Sequence, residues 1–179
     1  MGKVIYYVAM TVDGLIAGPG GDLSWLLQYE HGEDYGYDDL IKGIDALIMG
    51  AATYEWLLDR GEPWPYKGLE SFVMTTRTLP QPLGGTVRFT AQEPASLIAE
   101  LKAKHAKNIW LVGGGKLATA FAEADLIDEY DLTVIPIVLG AGIPLLAPAP
   151  GAREHWLSLV DHQAFSSGAV RLRYDRRRP

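Results

Sequence analysis

Asn108-Ile-Trp-Leu-Val-Gly-Gly-Gly-Lys-Leu-Ala-Thr-Ala-Phe-Ala122 is the stretch that decides how this chain folds. The apolar run Ile109 to Val112 predicts a buried strand, and Gly113, Gly114 and Gly115 break it abruptly. The alanine-rich segment that follows, with Leu117 and Phe121 one helical turn apart, predicts a helix. A strand, a glycine turn and a helix start together form a pocket for an anion. Glycines let a ligand approach the backbone, and the unpaired N–H groups and the helix dipole favour a phosphate.

Working outward, seven more strands are expected: Lys3 to Met10, Asp45 to Met49, Ser71 to Thr76, Thr86 to Thr90, Glu129 to Leu139, Trp156 to Phe165 and Ala169 to Tyr174. The last two are joined by Ser166-Ser167-Gly168 as a hairpin turn. Helices are expected over Asp34 to Ile44, Thr53 to Asp59, Pro94 to His105 and Lys116 to Ala124. Strands alternating with helices imply right-handed parallel crossovers. The fold class is therefore α/β: a mixed, mostly parallel central sheet of about eight strands with flanking helices and a C-terminal antiparallel hairpin.

Bulk properties narrow the function. The 179 residues should make one domain, 1–179. A hydrophobic content of 48% with 21% charged residues is that of a globular protein. The net charge of −6 argues against broad nucleic-acid binding. No stretch approaches the ~20 apolar residues of a membrane span, and Lys3 to Ala9 is too short and β-like for a secretory signal. Absence of cysteine excludes disulfides and thiol catalysis and fits a cytoplasmic protein. His31, His105, His155 and His162 show no metal-ligand spacing, so no metal is expected. Five tryptophans and nine tyrosines predict a core or ligand cleft rich in aromatics.

Three strand ends carry anion-binding chemistry. Gly113-Gly-Gly115-Lys-Leu-Ala118 matches the dinucleotide fingerprint of a Rossmann domain, but too few strand–helix units remain after it for that fold. Leu47-Ile-Met-Gly50-Ala-Ala-Thr53 ends a second strand in glycine, with Thr53 placed as a helix cap. Phe72-Val-Met-Thr75-Thr76-Arg77 ends a third in two hydroxyls and a guanidinium, which suit a phosphate monoester. In an open α/β sheet ligands gather at the carboxyl ends of the strands, where all three lie. A glycine-rich loop, Asp13 to Gly21, follows the first strand and could close over a ligand.

With Val12-Asp13-Gly14-Leu-Ile-Ala17-Gly18, Ile48-Met-Gly50-Ala-Ala-Thr53-Tyr-Glu55, Thr75-Thr76-Arg77, Val112-Gly-Gly-Gly-Lys116 and Val138-Leu-Gly140-Ala-Gly142-Ile-Pro144-Leu-Leu146 in this order, the chain resembles the dihydrofolate reductase fold. It is most similar to the relatives of the RibD C-terminal reductase type. The resemblance implies an NADPH-dependent reductase that passes hydride to a small conjugated or heterocyclic substrate, C=N or C=O. It implies that Ala9 and Ile16 flank the nicotinamide. Gly50 and Thr53 would hold the pyrophosphate from one side, and Gly113, Gly114, Gly115, Lys116 and Leu117 from the other. Thr75, Thr76 and Arg77 would hold the adenosine ribose and its 2′-phosphate, and Ala51 stands where dihydrofolate reductases usually carry an arginine.

On the substrate side the resemblance implies Trp25 and Thr133 as contacts and Glu30 as the carboxylate that assists protonation. The ribityl-phosphate substrate of the RibD type has no second basic site in this sequence to receive it. Dimerisation is also implied, with the aromatic, arginine-bearing last strands as a surface. A nucleotide-binding protein without turnover and a genuine dihydrofolate reductase stand as alternatives.

Overall fold

The computed structural model of the protein describes residues 2–29, 33–150 and 154–178. In its first half β1 (Val4–Thr11), β2 (Leu15–Ala17), α1 (Ser24–Leu27), α2 (Tyr37–Lys42), β3 (Ile44–Gly50), α3 (Ala51–Asp59), β4 (Glu70–Met74) and β5 (Arg88–Thr90) follow one another. Then come α4 (Pro94–Lys104), β6 (Asn108–Gly113), α5 (Gly115–Glu123), β7 (Glu129–Ile135), β8 (Ile143–Pro144), β9 (Leu157–Ala164) and β10 (Val170–Arg176). Eight strands form one sheet in the order β5-β4-β3-β6-β1-β7-β10-β9. All pairings from β5 to β7 are parallel, and β10 and β9 close the sheet antiparallel.

The central strands are buried on both faces and so read as continuous apolar runs. On one face Val4, Tyr6, Ile48, Leu111 and Leu132 pack beneath Leu97, Leu101 and Phe121 of α4 and α5. On the other, Ile5, Leu47, Met49 and Trp110 pack with Leu40 of α2 and Tyr54 of α3. The strand period of two deals alternate residues of β1 and β7 to the two faces.

Several elements differ from the sequence expectation for identifiable reasons. The strand expected to run to Leu139 stops at Ile135, because Pro136 has no N–H to give the ladder. The expected helix from Asp34 shrinks to Tyr37–Lys42. Gly36 before it is left-handed at φ +85°, and Gly43 after it leads into β3. The helix expected at Thr53 starts two residues earlier, with Gly50 at the N-cap, so Thr53 is not the cap. The small β2–β8 sheet and the one-turn α1 leave no periodicity to read.

A polar stripe runs down one face of β7. Glu129 and Asp131 are 3% and 2% exposed, and cations answer both. Arg171 grips Asp131 with two hydrogen bonds of 2.7 and 2.5 Å. Arg173 and Lys3 hold Glu129 at 3.0 and 2.9 Å. These pairs tie the first strand, β7 and the final hairpin together across the chain.

Asp128, just before β7, anchors the other end of β1. It accepts from the Val4 N–H at 2.7 Å, Lys102 at 3.0 Å and Arg178 at 2.7 Å. Burial works to raise its pKa, but these donors outweigh burial and hold the carboxyl below its ordinary value. A depressed folded value means that the carboxylate's stabilisation is complete above about pH 4 and lost as the pH falls through the folded value. Urea midpoints should therefore drop on acidification below that pH, and Asp128→Asn should be less stable at neutral pH with a flatter acid limb. An acid limb identical to that of the parent protein would refute this role.

Candidate functional site

Parallel pairing brings the ends of β3 and β6 side by side, with Met49 opposite Gly113. Each strand runs directly into a helix, with Gly50 at the N-cap of α3 and Gly114 at the N-cap of α5. Neither helix has a side-chain cap, so their first-turn N–H groups are available to an anion. The two starts touch. A Cβ on Gly114 would lie 3.8 Å from Thr53 Oγ1, and one on Gly50 would lie 3.9 Å from the Gly113 carbonyl and 4.0 Å from Leu117. Gly113 has φ +133°, a conformation that favours glycine, and the Gly113–Gly114 peptide is cis.

This junction forms one end of a cleft of about 1020 Å³. Ala9, Ile16, Thr53, Gly113, Gly114 and Thr133, all expected from sequence, line it. The floor is the face of the sheet that carries Tyr7 and Ala9 of β1, Trp110 of β6 and Thr133 of β7, with Ala9 directly opposite Thr133. The Trp110 indole N–H donates to the Tyr7 carbonyl at 3.1 Å, locking the ring across the floor. Thr133 is 3% exposed, and its hydroxyl has no hydrogen-bond partner. It follows Asp131 on the polar stripe of β7 but lies where the cleft begins.

The glycine-rich loop after β1 forms part of the rim and is tied down. Asp13 accepts from the Thr11 hydroxyl at 2.6 Å and from the Gly140 N–H at 2.7 Å, and these bonds hold its carboxyl below the usual range. Gly142 has φ +155°, and a Cβ there would lie 2.1 Å from the Ala17 carbonyl. Gly115 faces the Pro144 carbonyl in the same way, at 2.3 Å, so its side-chain position is filled by β8. Lys116 is exposed.

Thr75, Thr76, Arg77 and Trp25 are not among the residues that line the cleft. Thr75, Thr76 and Arg77 follow β4, where the Thr75 hydroxyl accepts from the Arg77 N–H at 3.0 Å. The Arg77 guanidinium makes a two-pronged contact with Glu55 of α3, at 3.0 and 2.8 Å, and Glu55 does line the cleft. Trp25 is buried beside Ile135 and Ala169 and borders a separate cavity of about 460 Å³. Glu30 lies outside the described residues. Tyr7, Tyr37, Tyr66, Trp110 and Glu55 were not singled out in the sequence. The surplus of tyrosine and tryptophan predicts an aromatic cleft without saying which residues line it, and alternation along β1 puts Tyr7 on the face of Ala9.

Residues 66–171, more than half of the chain, match the RibD C-terminal domain. The chain belongs to the RibD C-terminal domain family. It is 35% identical over 175 residues to the uncharacterized protein YwjB of Bacillus subtilis (strain 168), covering 97% of this chain and 98% of that protein. A protein from Shewanella sp. PV-4, whose name places it provisionally in riboflavin biosynthesis, superposes with a TM-score of 0.87 at 28% identity. That match covers 98% of this chain and 99% of the other. Dihydrofolate reductase from Enterococcus faecalis, solved with NADP(H), shares the fold with a TM-score of 0.68 at 18% identity, over 98% of this chain and 97% of that one. RibD C-terminal domains are of reductase type, and the mostly parallel sheet closed by an antiparallel hairpin is the dihydrofolate reductase-like fold.

The orphan hydroxyl of this RibD C-terminal domain makes a test of its own. Removing a buried, unpartnered polar atom while keeping the shape relieves a desolvation cost of about 1–3 kcal/mol. Thr133→Val should therefore leave the ligand-free protein as stable as the parent or up to ~1 kcal/mol more stable, read from urea midpoints. A loss beyond about 1 kcal/mol would show that the hydroxyl is already satisfied.

Proposed function

We propose that this RibD C-terminal domain protein is an NADPH-dependent oxidoreductase that passes hydride to a small conjugated or heterocyclic C=N or C=O substrate. One observation carries the reading: two uncapped helix starts meet at a cleft of about 1020 Å³ lined largely by apolar and aromatic side chains. A dinucleotide has both parts that such a site suits, a pyrophosphate and a planar ring. Gly50, Thr53 and the Gly113 to Leu117 segment would hold the pyrophosphate, Ala9 and Ile16 would flank the nicotinamide, and Thr75, Thr76 and Arg77 would hold the 2′-phosphoadenosine. NADPH, when bound, supplies the hydride.

The chain's own part is to orient the two rings over β1 and β7 and to exclude water beneath the anchored β2–β8 rim. The proton would come from Glu30 or from water. Binding of NADPH without its oxidation by any member of a panel of pterins (dihydrofolate among them), pyrimidinones and quinones would favour the nucleotide-binding alternative. A chain without cysteine suits the reducing cytoplasm.

Arg77 enters this reading with its fork held by Glu55. The two side chains are 55% and 40% exposed, so solvent screens the pair and a phosphate can displace it. Arg77→Ala should weaken NADPH by about tenfold and NADH hardly at all, because a charge-assisted bidentate contact to the 2′-phosphate is lost only with NADPH. Glu55→Gln, which releases the fork, should tighten NADPH several-fold. Equal losses for both cofactors in Arg77→Ala, measured by nicotinamide fluorescence, would sink the 2′-phosphate assignment.

One edge of the sheet is β9, where Leu159 and Val160 are 53% and 50% exposed and Trp156 just before it is 70% exposed. An apolar strand edge invites another strand. In our reading a second copy covers it. The protein should sediment as a dimer and Val160→Lys should shift it towards monomer; a monomeric parent protein at micromolar concentration would refute the assignment.

A further inference from the structure

Beyond the helix starts the cleft opens into a chamber of different chemistry. Tyr7, Tyr37 and Tyr66 surround Trp110, with ring centroids 6.0, 5.9 and 5.3 Å from the indole and near-perpendicular planes. All four line the cleft, together with the carboxylates Glu33 and Asp34. No lysine, arginine or histidine is among the described residues that line it.

Resting on the reading of this cleft as that of a reductase, we propose that its substrate half takes a flat heteroaromatic ring carrying a cationic amino group and turns away phosphorylated or carboxylated compounds. Three independent observations support this. First, the Thr133 hydroxyl is buried, faces the cleft and has no partner within the protein, so a ligand N–H or carbonyl in the plane of the floor would satisfy it.

Second, the walls favour positive charge. Aromatic faces attract cations, and burial pushes the Tyr7 and Tyr66 phenols above their ordinary values, so both stay neutral. At the rim Glu33 accepts from the hydroxyls of Ser166 and Ser167 at 2.7 and 2.8 Å, and Asp34 accepts from the Gly36 N–H at 3.1 Å. These donors hold both carboxyls below their usual range, so they remain anionic through the working pH.

Third, Arg171, the cation that lies against the Glu33–Gly36 loop, is committed elsewhere. Arg171 is gripped by Asp131 beneath the loop, and Gly36 sits on its guanidinium so closely that a Cβ there would lie 1.9 Å from Nη1. A phosphate arriving at the chamber would meet two carboxylates and a sealed arginine. An amine would meet the opposite.

The test uses two probes of one shape and opposite charge on the whole protein. 9-Aminoacridine is a cation at neutral pH, and acridine-9-carboxylate is an anion on the same rings. Calorimetric titration should show the cation binding about tenfold tighter or more, the gain expected when a desolvated cation meets aromatic and anionic groups. The double variant Glu33→Gln/Asp34→Asn should cut that ratio several-fold, and Tyr66→Ala should weaken the cation. Equal affinities, a preference for the carboxylate, no binding of either probe, or a ratio unmoved in the double variant would each overturn the proposal. NADPH titrated separately keeps the two readings apart. Discrimination between the probes without NADPH binding would refute the reductase and leave the chamber's preference standing, and NADPH binding without discrimination would do the reverse.

Discussion

Parallel pairing of β3, β6 and β1 is the constraint on which the rest of this molecule depends. Parallel strands all finish at one edge of the sheet, so every chain segment leaving that edge must turn within a few ångströms of its neighbours. Here Gly50 and Gly113 finish side by side, and each strand turns at once into a helix whose first N–H groups have no side-chain cap. The phosphate-like chemistry of the junction is therefore a by-product of topology. The donors are backbone groups that two helices cannot satisfy internally.

The same topology explains the gradient of polarity along β7. Its stripe of Glu129, Asp131 and Thr133 runs from the far edge of the sheet towards the cleft. Removing Arg171 would strip the buried Asp131 of its hydrogen-bonded cation, at a cost of up to about 3–5 kcal/mol, whereas Glu129 is shared between Arg173 and Lys3. Those two positions are thus committed to holding β10 and β1 in place. Thr133 comes next, beyond the reach of that ion-pair network, and there the stripe changes from a structural device to an available donor.

What could be read from the sequence was whatever lies within one strand–turn–helix unit. Gly113 to Phe121 and Met49 to Asp59 announce themselves because a buried run, a glycine and a helical period follow one another without interruption. The end of β7 at Pro136 was equally visible in the residues, but the apolar run Ile137 to Leu139 masked it. Contacts between distant units left no local trace. The Arg77–Glu55 fork joins residues on different elements, and β2 and β8 are three and two residues long, too short for any alternation to register. The aromatic floor showed up only as a surplus of tyrosine and tryptophan. Which of them share a face depends on β1 and β6 being neighbours, and only the assembled sheet reveals that.

The helix-start end of the cleft and the outer wall of the aromatic chamber are built from separate stretches of chain. Gly50, Thr53, Gly113 and Gly114 sit on the helix starts, whereas Tyr66 and the Glu33–Gly36 loop lie in connections and Tyr37 opens α2, and among the described residues these make no backbone hydrogen bond to α3 or α5. Glu33 is instead moored to the hairpin turn at Ser166 and Ser167. Mutational drift in those connections can remake the chamber while the helix starts stay fixed. A lineage with this layout diversifies its chemistry by editing loops, and relatives with superposable sheets should then act on unlike compounds.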